Sequence, residues 1–431
     1  MTSKSPLVKK RRRSISQRIS LYLLVFTLLS APLGADWPQF RGPDGQGHSD
    51  AKGAPLHWDE AKNIAWKTPI PGKGWSSPVI SGNQVWVTAA HAEGKSLHAV
   101  CVDQTSGELI HDIEVLQVAD PGSSHPQNGF ASPTPVLDGT HVFVHFGPHG
   151  TVCLDTDGKT VWKNTELEFT ILHGAASSPI LHGNLLILSC EGSDAQFLVA
   201  LDKRTGKVKW KEPRQHFKAP AEEVTIAKMS YSTPLVSLVN GVVQLVSTSA
   251  DHVSAYDVEA GKEIWWMPYD GFSMVARPSF GNGLFYIIGS IQVGQNAVYA
   301  IRPGKGRLGD DQVLWQHSIG ASYISSPLLV GKNLFVVRDG GVATCFDAMT
   351  GAAHWKERLG GNFSASPIEV QGRVYACNRE GKTLVLASRK EFKILATNKL
   401  DGTFLASPAV AGSALFLRSD THLYRIEERA D

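Results

Sequence analysis

"SSPILHGNLLILSCEGSDAQFLVALDKRTGKVKW", residues 177–210, holds a complete structural unit in one line. It opens on Ser-Ser-Pro, runs through a short apolar stretch, turns at a glycine and runs apolar again. "VALDKRTGKVKW" (199–210) then carries a third apolar run, an Asp-to-Gly turn and a fourth run ending on Trp210. The Asp carboxylate of such a turn accepts from nearby backbone N–H groups, and the Gly takes positive φ. Short alternating runs between Gly turns, with no helix caps, read as four β-strands. Pro179 is the anomaly, since a proline confines a strand to a sheet edge or to its own first position.

Both halves of the unit recur. The Ser-Pro half returns as "SSPVISGNQVWV" (76–87), "PTPVLDGTHVFV" (133–144), "STPLVSLVNGVVQLV" (232–246) and "ARPSFGNGLFYI" (276–287). Three more copies are "SSPLLVGKNLFVV" (325–337), "ASPIEVQGRVYA" (365–376) and "ASPAVAGSALFL" (406–417). The eight shared prolines are Pro78, Pro135, Pro179, Pro234, Pro278, Pro327, Pro367 and Pro408, spaced 40 to 57 residues apart. The Asp-turn-Trp half returns as "VCLDTDGKTVW" (152–162), "SAYDVEAGKEIW" (254–265) and "TCFDAMTGAAHW" (344–355). In "VCVDQTSGELIH" (100–111), His111 takes the Trp place. Four strands per unit of roughly 40–50 residues make the blade of a β-propeller. One large flat side chain per unit is a packing device between neighbours.

The ends predict ring closure. The last copy lacks its Asp-turn-Trp strand, while "NIAWKTPI" (63–70) precedes the first copy without a partner, with Trp66 at the missing Trp position. The expected fold is all-β: an eight-bladed propeller of four-stranded blades over residues 60–431, closed by the N-terminal strand joining the last blade. Closure removes the exposed sheet edges of an open array.

The first 35 residues stand apart. Seven Lys and Arg and no acid precede "LYLLVFTLLS" (21–30) and the small residues "APLGA" (31–35). This layout is that of a secretory signal peptide, followed by an extension over 36–59. The alternative is a retained N-terminal anchor. Without residues 1–35, 35 of the 42 basic residues remain against 40 acidic ones, a formal charge of −5 instead of +2. The basic balance therefore belongs to the leader, and nucleic acid is not an expected partner. Export to the periplasm or cell envelope follows, with no membrane span left after cleavage.

The paired motif resembles the tryptophan-docking repeat of the quinoprotein (PQQ-like) β-propellers. "DWPQFRGPDGQG" (36–47) and "GGNFSASP" (360–367) are similar to a bacterial exported subfamily of these repeats. Size and blade count also resemble the outer-membrane-protein assembly factor BamB, although the lipoprotein Cys of that factor is missing. Two units depart from the pattern: "VLASRKEFKIL" (385–395) lacks the turn Gly and the Trp, and "RPGKGRLGDD" (302–311) is an insertion before Trp315.

The resemblance implies one of two functions. The first is an exported, non-catalytic scaffold that binds protein partners in the cell envelope, with no cofactor. The alternative is a PQQ-dependent oxidoreductase using PQQ with Ca²⁺, or another enzyme working at the channel mouth. Related dehydrogenases use an adjacent Cys-Cys pair, and none occurs among Cys101, Cys153, Cys190, Cys345 and Cys377. The repeated Asp residues belong to turns. His141 and His145 share a strand face, but no further ligand is legible and no metal set is assigned, since zinc takes three or four. No catalytic constellation is legible, which favours the scaffold.

Function on a propeller gathers on the loops that carry one blade into the next. The longest of these are residues 115–129 and 211–229. Polar or aromatic residues before the repeated prolines are therefore expected to ring the channel mouth as candidate ligand-binding residues: His125, Asn128, His173, Tyr231, Arg277, Tyr323 and Asn362. Arg277 is the sharpest departure, because it replaces Ser or Thr next to Pro278.

Overall fold

The computed structural model describes residues 1–2, 37–220, 222–292, 295–320 and 324–428. The chain divides into two compact units, Met1–Leu33 and Gly34–Asp431. Nearly all of the first unit, and with it the expected signal peptide, lies outside the described residues. No described helix is long and apolar enough to cross a membrane.

The second unit is an eight-bladed β-propeller. Blade three shows the pattern: Ile180–His182 innermost, then Leu185–Glu191, Gln196–Asp202 and Val208–Pro213 outermost, each antiparallel to the next. Each repeated proline stands just before an inner strand, where the missing N–H costs no ladder bond. Loops between blades therefore emerge on one face, and the Asp-to-Gly turns on the other. The ring closes as the ends predict. Ile64–Pro69 pairs antiparallel with His422–Ile426 and becomes the outer strand of blade eight.

The Asp-turn-Trp motif has a direct physical reading. Asp202 Oδ1 accepts from the amides of Arg204 and Thr205, and Asn184 donates to Oδ2. Trp162 of blade two lies over this turn of blade three, its indole donating to the Lys203 carbonyl at 2.9 Å. A Cβ on Gly206, at φ +71°, would come within 2.5 Å of the Trp162 ring. The glycine is therefore required twice, by its backbone conformation and by the indole stacked on it. Trp66, Trp210 and Trp315 repeat the arrangement over Gly107, Gly261 and Gly351.

Two departures have tertiary explanations. The insertion in blade five sends Gly306–Arg307 across to pair in parallel with Trp265 and Trp266, adding a fifth strand to blade four. Trp265 there donates to Gln244 Oε1 instead of a turn carbonyl. In blade seven, Ala396 stands where a Trp is expected, in register with Val385 and Tyr375. Trp58, from the N-terminal extension, stacks on Tyr375 at 6.3 Å and supplies the missing ring. Its amide donates to Asn398 Oδ1, and only 3% of the residue is exposed.

The extension is thus part of the propeller's packing. Trp37, Ala51, Ala54 and Trp58 join one core cluster with residues of blades one, seven and eight. His48–Ser49 adds a parallel strand inside Ile368–Val370 of blade seven.

Candidate functional site at the mouth of the channel

The residue before each repeated proline forms a belt around the channel. The Ser77 amide donates to Thr134 Oγ1, Thr134 to Ser178 Oγ and Ser178 to Thr233 Oγ1. Beyond Arg277 the belt resumes through Ser326, Ser366 and Ser407, and Ser407 returns to Ser77, all at 2.9–3.0 Å. The Ser or Thr of the repeat is therefore a blade-to-blade link. Arg277, with no hydroxyl to offer Thr233, is the one chemical gap.

Above the belt lies a cavity of about 110 Å³, walled by Trp75, Asn128, Tyr231 and belt hydroxyls, with Phe40 at its edge. Four expected residues meet beside it. The His125 amide and Asn128 Nδ2 both donate to the His173 carbonyl, at 3.1 and 2.8 Å. His173 Nδ1 lies 2.9 Å from the Tyr231 hydroxyl, and the His125 and His173 rings meet edge-on at 5.9 Å. The loops cross so closely here that a Cβ on Gly174 would strike the Gly129 carbonyl. Asn362 lies outside this group, exposed and bonded to Glu380 Oε1 at 2.8 Å. Tyr323 lies outside the described residues.

Arg277 points into the channel and meets a feature the repeat pattern conceals. Residues 37–49 enter from the turn face as a plug. Trp37 exchanges two backbone hydrogen bonds with Ile80, and the Pro38 carbonyl accepts from Leu137. Gln46 Oε1 accepts from the Phe280 amide, Arg41 Nη2 donates to the Pro327 carbonyl, and the Gly47 carbonyl accepts from Glu369. The plug is thereby tied to blades one, two, five, six and seven. Arg277 Nη1 donates to the Phe40 carbonyl at 2.8 Å. A Cβ on Gly45, at φ +68°, would lie 2.5 Å from the same guanidinium. Burial and the neighbouring Arg41 lower the Arg277 pKa to about 9. A second cavity of about 410 Å³ remains between the plug and the inner strands of blades three to five.

A buried polar seam joins blades three and four behind the mouth. Arg214 Nε donates to Glu191 Oε1 at 2.7 Å, and Nη1 reaches the Tyr256 hydroxyl. Ser249 donates to Glu191 Oε2, and Ser189 to Oε1. Glu191, Tyr231 and His145 line a void of about 20 Å³, the size of one water. Sequence reading missed both seam and plug, because their members lie tens to hundreds of residues apart.

The other sequence candidates resolve locally. His145 is buried, its Nδ1 2.9 Å from Thr151 Oγ1, and burial together with His149 lowers its pKa to about 3. His141 instead adjoins Asp138 and Thr140. All five cysteines are buried and unpaired, and burial drives the Cys153 and Cys345 thiols up to about 12.

The mouth does not fit a cation-bound quinone. Its volume is well below the roughly 300–1,000 Å³ of pockets that enclose cofactor-sized ligands. None of its described lining side chains is a carboxylate, whereas Ca²⁺ needs six to eight oxygen ligands, usually including carboxylates.

The family "Outer membrane protein assembly factor BamB" matches residues 98–271 and 294–391. Outer membrane protein assembly factor BamB of Yersinia pestis is 24% identical over 270 residues, 59% of this chain. The chain spans 63% of that relative's length, under two thirds. The crystal structure of BamB from Moraxella catarrhalis aligns with a TM-score of 0.58 at 12% identity, covering 84% of this chain and 99% of that one. Quinohemoprotein alcohol dehydrogenase from Comamonas testosteroni aligns at 0.64, also at 12% identity, covering 92% and 81%. At these identities both structural likenesses concern the fold alone. With its repeats matched over more than half of its length, the chain belongs to the family described as outer membrane protein assembly factor BamB.

Proposed function

We propose that this protein is an exported, non-catalytic propeller that binds protein partners in the cell envelope, a reading supported by a family and a relative named outer membrane protein assembly factor. The observation that carries this reading is the plugged channel. The chain's own residues 37–49 occupy the turn-face end, and the mouth cavity of about 110 Å³ offers neither carboxylate nor thiol. Apart from the cavity beside the plug, recognition is thereby left to the faces and edges of the ring. Three neighbouring mouth-face loops present exposed apolar side chains: Leu172 at 39%, Val224 at 68%, Ile226 at 44% and Phe272 at 43%. Exposed apolar residues gathered on loops over a rigid scaffold suit a protein partner.

The test is crosslinking in intact cells followed by capture of the tagged full chain. A discrete envelope protein should be captured by the parent and lost from a Val224→Asp/Phe272→Asp variant with unchanged thermal unfolding. Saturable binding of PQQ with Ca²⁺, accompanied by dye-linked alcohol oxidation, would replace this reading with the oxidoreductase.

A further inference from the structure

The sequence assigns no metal set, yet blade one gathers one across three strands. His91 ends the second strand, Gln84–His91. His98 lies near the start of the third, Ser96–Asp103, and Asp112 stands on the outer strand, Leu109–Gln117. The register pairs His91 with Ser96 and His98 with Glu114. Side chains alternate across a strand, so His91, Ser96, His98, Asp112 and Glu114 project from one face of the blade. That face borders the loop leaving the closing strand, where a Cβ on Gly72 would touch His91 Nε2.

We propose that His91, His98 and Asp112 form a binding site for a divalent transition-metal ion of the zinc class. One donor atom from each residue lies within 4.8 Å of the others. Ligands at the usual 2.0–2.1 Å from a tetrahedral zinc stand roughly 3.4 Å apart. Closing the set therefore takes an approach of at most about 1.4 Å for the most distant pair, within reach of side-chain rotation.

The hydrogen bonds around His98 are compatible with a tautomer that leaves Nδ1 available. The Ser96 hydroxyl donates to Glu114 Oε2. Its oxygen is then left to accept from His98 Nε2–H, 2.7 Å away. That tautomer leaves the lone pair of His98 Nδ1 facing Asp112 Oδ1 at 2.7 Å. Two acceptors in that position need a cation between or beside them. A proton alone would serve, but it leaves His91 unused. The His91 ring centroid is 4.3 Å from that of His98, and its Nε2 is shielded from solvent without a hydrogen-bond partner. Ser96 and Glu114 would act as the outer shell that orients a ligating imidazole.

The donor set selects the ion class. Two imidazoles and one carboxylate suit Zn²⁺ and its neighbours, whereas Ca²⁺ and Mg²⁺ favour oxygen ligands throughout. Asp112 is exposed, so a fourth position opens to water.

The experiment uses the full chain, stripped with chelator and titrated with Co²⁺. One equivalent should bind saturably with the visible absorption of a four- or five-coordinate site, and Zn²⁺ should displace it. Zn²⁺ should raise the thermal midpoint, since a ligand that binds only the folded state stabilises it, and Ca²⁺ should not. Asp112→Asn, at an exposed position, should retain the fold and weaken Co²⁺ binding by about tenfold or more, as removing even an outer-shell partner does. His91→Ala should do the same. A titration without a saturable one-equivalent signal overturns the site, as does unchanged Co²⁺ affinity in both variants.

Discussion

At the scale of single residues, the strongest predictions concern groups buried with their polarity. His145 is held neutral with its pKa lowered to about 3. The unfolded chain takes up a proton near pH 6.5 and the folded chain does not. Stability from this group is therefore complete above pH 6.5 and is lost as the pH falls from there towards 3. Between pH 7 and pH 5 it should account for about 2 kcal/mol. Urea unfolding of the parent and of His145→Asn at both pH values would expose it, since the variant should lose that much less on acidification. Glu191 gives a second case. Glu191→Ala leaves the Arg214 guanidinium buried without its counter-charge and should cost about 3–5 kcal/mol. A loss below 1 kcal/mol in the same unfolding experiment would mean that the seam is not load-sharing. Glu191 was not legible beforehand, because a carboxylate at the end of an apolar run shows nothing of the arginine 23 positions later that meets it.

At the scale of elements, the turn and the tryptophan over it act as one unit. Gly206→Ala places a Cβ 2.5 Å from the Trp162 ring at a φ of +71°. The left-handed conformation costs a non-Gly residue about 1–2 kcal/mol and overpacking about 1–3 more. Calorimetry should show a clear drop in melting temperature, whereas Gly183→Ala, with open space around its Cβ, should suffer only the backbone term. Trp58 tests the borrowed ring. Trp58→Ala should cost about 3–5 kcal/mol, as for a buried core aromatic. Its effect should equal that of truncating one of the repeat tryptophans, although Trp58 belongs to none of the repeats. The turn motif was readable because its parts are neighbours in the chain. Blade seven's missing ring was readable only as a gap, since the residue that fills it lies over 330 positions from Ala396.

At the scale of the whole molecule, closure and plugging are separate devices. Trp66→Ala weakens the strand that completes blade eight and its docking over Gly107. Beyond the loss of packing, it should expose a sheet edge during partial opening, and free edges pair with other chains. Light scattering near the melting temperature should therefore rise more for Trp66→Ala than for Trp162→Ala, whose strand is flanked by neighbours in sequence.

Repetition is what made the fold visible from sequence alone. Eight recurring prolines, the Asp-to-Gly turns and the unpartnered strand at residues 63–70 specified blade count, strand count and closure, because each signal is local and recurs in register. Sequence also brought His125, Asn128, His173 and Tyr231 together, since all four precede inner strands. Tertiary structure alone decided the rest. It turned the belt serines into inter-blade links, put Arg277 against the plug instead of open water, and joined His91, His98 and Asp112 on one face. The plug and metal-set contacts join segments whose separation along the chain carries no period, and the belt serines, though periodic, find their partners only when neighbouring blades pack.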